Sequence, residues 1–155
     1  MPFFSYIGWG GIIWIIISFY LILFKKERDL GLLCLAGLIL SAILSEIILK
    51  NIFSKLRPYE TLYNVRLLVP KEKSFSFPSG HATSSFTASL ILGSKNKRKI
   101  LLFLILAIFI SFSRIYCGVH SPSDVLFGAL TGLILGSLVI FLYKKLKITK
   151  NEEIF

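Results

Sequence analysis

Residues 100–143 read ILLFLILAIFISFSRIYCGVHSPSDVLFGALTGLILGSLVIFLY. Two charge-free apolar runs, 100–113 and 125–143, flank a polar island holding Arg114, His120 and Asp124. With its flanks, each run is long enough to cross about 30 Å of hydrocarbon, which takes about 20 helical residues. The pattern recurs toward the N-terminus: Asp, Glu, Lys and Arg are also absent from 1–24, 30–45 and 74–94. Five spans are predicted, over roughly 4–24, 30–49, 79–94, 99–117 and 122–143. The first lacks a basic leader and is too long an apolar run for a signal peptide, so it reads as a span. The third is short and carries Thr83, Ser84, Ser85, Thr87 and Ser89, which places it inside the bundle.

Composition agrees. The chain has 155 residues, 55% hydrophobic and only 17% charged, with mean hydropathy +0.77. Soluble domains carry about 25% charged residues. Disorder, a coiled coil and a disulfide scaffold are excluded. The fold class expected is an all-α integral membrane protein, a bundle of about five transmembrane helices forming one domain over 1–155, with its active site at the outer helix ends.

The net charge of +10 follows from topology rather than from nucleic-acid binding. Five spans put the termini on opposite sides. One side collects 11 of the 18 basic residues, in 25–29, 94–99 and the tail from 144 to Lys150; the other collects 7. The positive-inside rule makes the richer side cytoplasmic, with the N-terminus outside. Cys34 and Cys117 lie toward opposite ends of their spans and read as packing residues. Gly128, Gly132 and Gly136 form a small-residue stripe that lets another helix approach closely, as do Gly37, Ser41 and Ser45 on the second span.

The polar residues that hydropathy does not explain all fall on the outer side. Lys50 and Arg57-Pro58 end the second span; if helix persists that far, the two cations share a face. Glu46, one turn before Lys50, is a natural ion-pair partner for it. Pro78-Ser79-Gly80-His81 opens the third span, with Pro78 at a helix start, free backbone N–H groups for an anion and room at Gly80. Ser113-Arg114 closes the fourth span. Ser121-Pro122-Ser123-Asp124 reads as a helix start, with Asp124 either a cap or a partner for His120 four residues earlier. Between these clusters, 60–73 reads as a plain connector.

Three cations and a helix N-terminus can surround a phosphoryl group. A His backed by a carboxylate can attack it, and a second His can protonate the leaving oxygen. Only Glu60, Glu72 and Asp124 are acidic on that side, too few for a two-metal phosphatase, so neither metal nor other cofactor is expected. A basic cluster that binds anion or lipid for transport explains the cations, but not the His/Asp pair beside a second His.

These residues resemble the signature of the type-2 phosphatidic acid phosphatase superfamily. Its blocks are Lys, six residues, Arg-Pro (Lys50, Arg57, Pro58), then Pro-Ser-Gly-His (Pro78 to His81), then Ser-Arg, five residues, His, three residues, Asp (Ser113, Arg114, His120, Asp124), and every fixed position matches. The resemblance implies that His120 attacks phosphorus, oriented by Asp124, and that His81 protonates the leaving group. It implies that Lys50, Arg57, Arg114 and the backbone around Ser79 and Gly80 bind the phosphate. It implies a lipid phosphate substrate at the outer face of a bacterial inner membrane, with undecaprenyl diphosphate the best guess. Phosphatidylglycerophosphate, phosphatidate, lipid A phosphate and transfer to a lipid acceptor are the alternatives. Family members commonly have six spans; here one N-terminal span is missing. Tyr59, Tyr63, Arg66, Phe75 and Phe77 are candidates for the substrate entrance.

Overall fold

The computed structural model describes residues 1–152, with side chains through Lys147; the Lys150 side chain, counted above in the basic tail, lies outside the described residues. Helix α1 (Pro2–Ile7) and helix α2 (Ile12–Leu23) make one broken rod. The segment predicted as a span over 4–24 is thus kinked rather than one straight helix. Gly10 and Gly11 take φ of +57° and +72°, a left-handed conformation open to glycine, and the chain bends there.

Helix α3 (Arg28–Ala42) runs through a π-helical stretch (Ile43–Leu49) into the short α4 (Lys50–Phe53). The expectation that helix carries Lys50 and Arg57 on one face fails. Ser54 turns left-handed at φ 44°, and Arg57 is extended, capping the one-turn α5 (Pro58–Thr61). Helix α6 (Gly80–Gly93) starts after the N-cap Ser79, so Pro78 precedes the helix instead of occupying its first turn. Helices α7 (Lys97–Tyr116) and α8 (Pro122–Glu152) follow.

Arg28–Thr61, Lys97–Tyr116 and Pro122–Lys147 are long and apolar enough to cross a membrane. Their outward residues, among them Leu101, Leu102, Leu126, Ile134 and Phe141, are exposed apolar side chains that only lipid covers well. The protein is a membrane protein. Helix α6, with 14 residues, is about 21 Å long, too short to span alone. It is the buried centre of the bundle, as its Ser and Thr content predicts. Ser85 accepts from Trp14 Nε1 at 3.0 Å, and Thr87 donates to the Gly132 carbonyl at 3.1 Å.

The glycine stripe of α8 packs inside the chain, against α6. A β-carbon at Gly128 would stand 2.6 Å from the Ser79 carbonyl oxygen, and one at Gly136 would stand 3.1 Å from that of Thr87. The loops sort as predicted. Lys95 pairs with Glu27 at 3.6 Å, and Tyr143 donates to Asp29 at 2.9 Å, at one end of the bundle. The residues of the phosphatase signature meet at the other.

Candidate active site

Arg57 is the hub. It is fully buried, and each guanidinium nitrogen is used. Nε donates to the Ser74 carbonyl at 2.7 Å, Nη1 to the Val119 carbonyl at 3.0 Å, and Nη2 to Glu72 Oε2 at 2.6 Å. The second carboxylate oxygen of Glu72 accepts from Arg114 Nη2. Arg114 Nη1 donates to Ser5 Oγ, so the N-terminal helix α1 supports the site. Lys50, also buried, donates to Glu46 at 2.7 Å, the pairing expected from their spacing, and to Ser74 Oγ at 3.0 Å. Arg57 Nη2 reaches the same hydroxyl at 3.2 Å. Lys50 and Arg57 thus meet although the helix between them ends.

Glu72 lies where an anion bridged by Arg57 and Arg114 would lie. Reading 60–73 as a plain connector is corrected at this residue. Burial alone would raise its carboxyl, but the guanidiniums of Arg114 and Arg57 outweigh it and hold it at about 2. The carboxylate is ionised and bridges the two guanidiniums.

His120 lies between the two halves. Its Nε2 is 3.4 Å from Arg57 Nη1, facing the cradle. Burial is the main reason its imidazole is pushed down to about 4; neighbouring Arg57 and Arg114 add to this, against Asp124 and Glu72. A neutral imidazole keeps a lone pair for attack. Asp124 lies on the opposite edge of the ring, with Oδ2 3.7 Å from Nδ1. That separation is too long for the direct hydrogen bond expected. Asp124 also accepts from the Ser121 backbone N–H at 2.8 Å, so the cap and the partner readings both hold.

His81 sits in the first turn of α6, beside the same cavity. Gly8 packs on it: a β-carbon there would come 3.1 Å from His81 Cδ2. At Gly80 a β-carbon would meet the Glu46 carboxylate, so the α6 backbone lies directly against the carboxylate that pairs with Lys50. The N–H groups of Gly80, His81 and Ala82 have no intrahelical acceptor at that terminus. Among the described residues, the buried side-chain atoms with no hydrogen-bond partner include Ser79 Oγ, His81 Nε2 and Arg114 Nε. All three belong to the residues expected to handle phosphate, and a phosphoryl group has acceptor oxygens to offer them.

The structure therefore brings together Lys50, Arg57, Ser79, Gly80, His81, Arg114, His120 and Asp124. A cavity of about 430 Å³ opens beside them, lined also by Glu46, Lys71, Lys73 and the Gly8–Gly11 turn. Tyr59, Tyr63, Arg66, Phe75 and Phe77 are not in its lining. Sequence reasoning passed over Ser5, Lys55, Glu72, Ser74 and Ser76. Glu72 carried a signal: three buried cations need an anion, and few acidic residues lie on that side.

Comparison with known proteins places the chain in a family. The chain is 34% identical over 139 residues to an undecaprenyl-diphosphatase of Sulfolobus acidocaldarius, covering 88% of this chain and 65% of that protein. It thus spans less than two thirds of that relative's length. The crystal structure of Aquifex aeolicus LpxE superposes with a TM-score of 0.80 at 33% identity, covering 90% of this chain and 82% of that one. The PAP2-type phosphatidylglycerolphosphate phosphatase of Bacillus subtilis superposes with a TM-score of 0.74 at 30% identity, covering 94% and 75%. The family model of the PAP2 superfamily matches residues 30–148, which include the whole phosphate cradle and both histidines, and the chain belongs to that superfamily.

Proposed function

We propose that the protein is a metal-independent lipid phosphatase that works through a phosphohistidine, with undecaprenyl diphosphate as its substrate. The observation that carries the reading is the Glu72 carboxylate bridging Arg57 and Arg114 beside His120 Nε2. A phosphoryl group in that position meets a nucleophile on one side and two fixed guanidiniums on its oxygens.

The steps follow from the placement. His120 Nε2 attacks phosphorus as the bond to the lipid-side oxygen breaks. His81 takes up a proton as the anionic phosphoryl group settles against it, and gives it from Nε2 to that oxygen. Neutral His81 then takes a proton from water, whose oxygen attacks the phosphohistidine, and inorganic phosphate leaves. Lys50, Arg57 and Arg114 supply the positive charge that a metal supplies in other phosphatases.

The choice of a diphosphate rests on two supports. A similar protein bears the name undecaprenyl-diphosphatase, and Lys71 and Lys73 line the cavity next to the cradle, where a second phosphate of the substrate would sit. By the positive-inside rule the site faces the outer leaflet, with the N-terminus outside and the C-terminus in the cytoplasm.

The test is inorganic phosphate release by the detergent-purified protein in excess EDTA. Undecaprenyl diphosphate, phosphatidylglycerophosphate and phosphatidate are compared side by side. Release that survives EDTA, is fastest with the diphosphate and disappears in His120→Ala is expected. Equal release by His120→Ala refutes the phosphohistidine, and a faster phosphatidylglycerophosphate reaction refutes the substrate.

A further inference from the structure

His120 Nδ1 and Asp124 Oδ2 stand 3.7 Å apart, and the Ser76 hydroxyl lies against both. Ser76 Oγ donates to Asp124 Oδ2 at 2.6 Å and stands 3.4 Å from His120 Nδ1. Ser76 is fully buried, and its backbone N–H donates to the Lys55 carbonyl at 2.8 Å. The Lys55 side chain closes the circuit. Its Nζ donates to Asp124 Oδ1 at 2.5 Å, and to the Ser121 and Ser123 hydroxyls at 2.8 and 3.1 Å.

We propose that Ser76 and Lys55 are positioning residues for His120: the Ser76 hydroxyl links Asp124 to the imidazole, and Lys55 holds the carboxylate in place behind it. The proposal rests on the phosphohistidine reading above.

Hydrogen-bond capacity fixes the tautomer of His120. A serine hydroxyl has one proton and two lone pairs. The 2.6 Å contact commits the Ser76 proton to a carboxylate that can only accept. The hydroxyl can then meet His120 Nδ1 only as an acceptor. Nδ1 must carry the ring proton, and Nε2 keeps the lone pair that faces the cradle. As attack places positive charge on the ring, the Nδ1–H becomes a stronger donor and its contact with Ser76 tightens.

Lys55 acts one bond further out. Asp124 is fully buried and takes three donors: Lys55 on one oxygen, Ser76 and the Ser121 N–H on the other. Without Lys55 the Oδ1 oxygen loses its charged donor, and only the two donors on Oδ2 are left to orient the carboxylate. Lys55 itself is part-exposed and lies 5.8 Å over the Phe77 ring, so its removal leaves no cavity. The other charged groups near His120 are Arg57, Arg114, Glu72 and, when protonated, His81. None of them bonds to Asp124.

The test uses the full chain in detergent and the variants Ser76→Ala, Ser76→Thr, Lys55→Met and Lys55→Arg. Three quantities are read: kcat for undecaprenyl diphosphate, the competitive inhibition constant of inorganic phosphate, and oxygen exchange between inorganic phosphate and water. Exchange needs the phosphohistidine but no lipid. Ser76→Ala and Lys55→Met are expected to lose about 10- to 100-fold in kcat and in exchange. Their phosphate inhibition constants should stay within about twofold of the parent, since the cradle is intact. The acid limb of the kcat/KM profile should move with them. Ser76→Thr and Lys55→Arg should recover most of both losses.

Variants that bind phosphate normally and keep kcat and exchange within twofold overturn the proposal, as does a loss that Thr or Arg does not repair. If Ser76→Ala does not purify as a folded protein, the Lys55→Met and Lys55→Arg pair decides by the same criteria. Absence of His120-dependent exchange in the parent protein refutes the phosphohistidine reading instead.

Discussion

Glu72 and the substrate phosphate claim the same two guanidiniums, so removing the charge of Glu72 should tighten phosphate binding. The perturbation is Glu72→Gln, which keeps shape and one acceptor. Its size follows from the carboxyl being held at about 2 against an ordinary 4.5. At about 1.4 kcal/mol per tenfold, the site favours the ionised carboxylate by about 3 kcal/mol relative to water. Part of that comes from the general positive field, which a displaced Glu72 would still feel. Taking about half as the true competition leaves one to two kcal/mol, or about tenfold. The assay is competitive inhibition by inorganic phosphate at pH 7, with KM for the lipid measured in parallel. Glu72→Gln should lower both by about an order of magnitude. The side chain is about a quarter exposed and sits on the loop before α6. An inhibition constant that is unchanged or weaker in Glu72→Gln would show that Glu72 builds the cradle rather than competing for it, and would refute this reasoning.

Two further outcomes follow from the same coordinates. The acid limb of kcat/KM should lie near pH 4, where His120 titrates, and not near 6.5: below that pH Nε2 carries a proton and cannot attack, and above it the lone pair is free. A pH profile measured at saturating EDTA checks this, and a limb near 6.5 contradicts the burial argument. On the opposite face of α6, Gly132→Val would drive its side chain onto the Thr83 carbonyl. It should destabilise the protein by roughly 1–3 kcal/mol, read as a lower melting midpoint in detergent, because the α6–α8 contact cannot widen without moving Ser79 and Asp124, whose backbones bond at 3.0 Å.

What the sequence made legible is what depends on composition and on fixed spacing. Charge-free runs marked the helices, and the Ser and Thr content of 83–89 marked α6 as interior, because lipid offers such groups no partners. The stripe Gly128–Gly132–Gly136 marked a close helix contact, and Glu46–Lys50 an ion pair at one-turn spacing. Contacts brought together by irregular chain were not legible. Glu72 lies in a loop whose path nothing periodic constrains. Lys55 looked like one more exterior lysine, and Ser76 like one more loop serine. Each gains its role only from a side chain far along the sequence: Lys55 from Asp124, Ser76 from His120, Ser5 from Arg114.

The spacing from Lys50 to Arg57 shows why a signature can be right while the geometry inferred from it is wrong. Seven residues on a helix return to nearly the same face, so one helix carrying both cations was the natural reading. Here the interval contains the end of α4, a left-handed Ser54 and an extended Arg57. The two cations still meet, at Ser74 Oγ, because the chain reverses between them. Fixed spacing therefore records the length of a path between two ligand atoms, and helix phase is only one way to satisfy it. The reversal also does something a continuous helix could not. It turns Lys55 onto Asp124 while Arg57 points to Glu72 and His120 Nε2, so a single short segment reaches both sides of the imidazole. In a straight helix, residues two apart diverge by about 200° around the axis, and a groove between neighbouring helices admits only one of them. The break at Ser54 is what lets this segment serve both sides of His120.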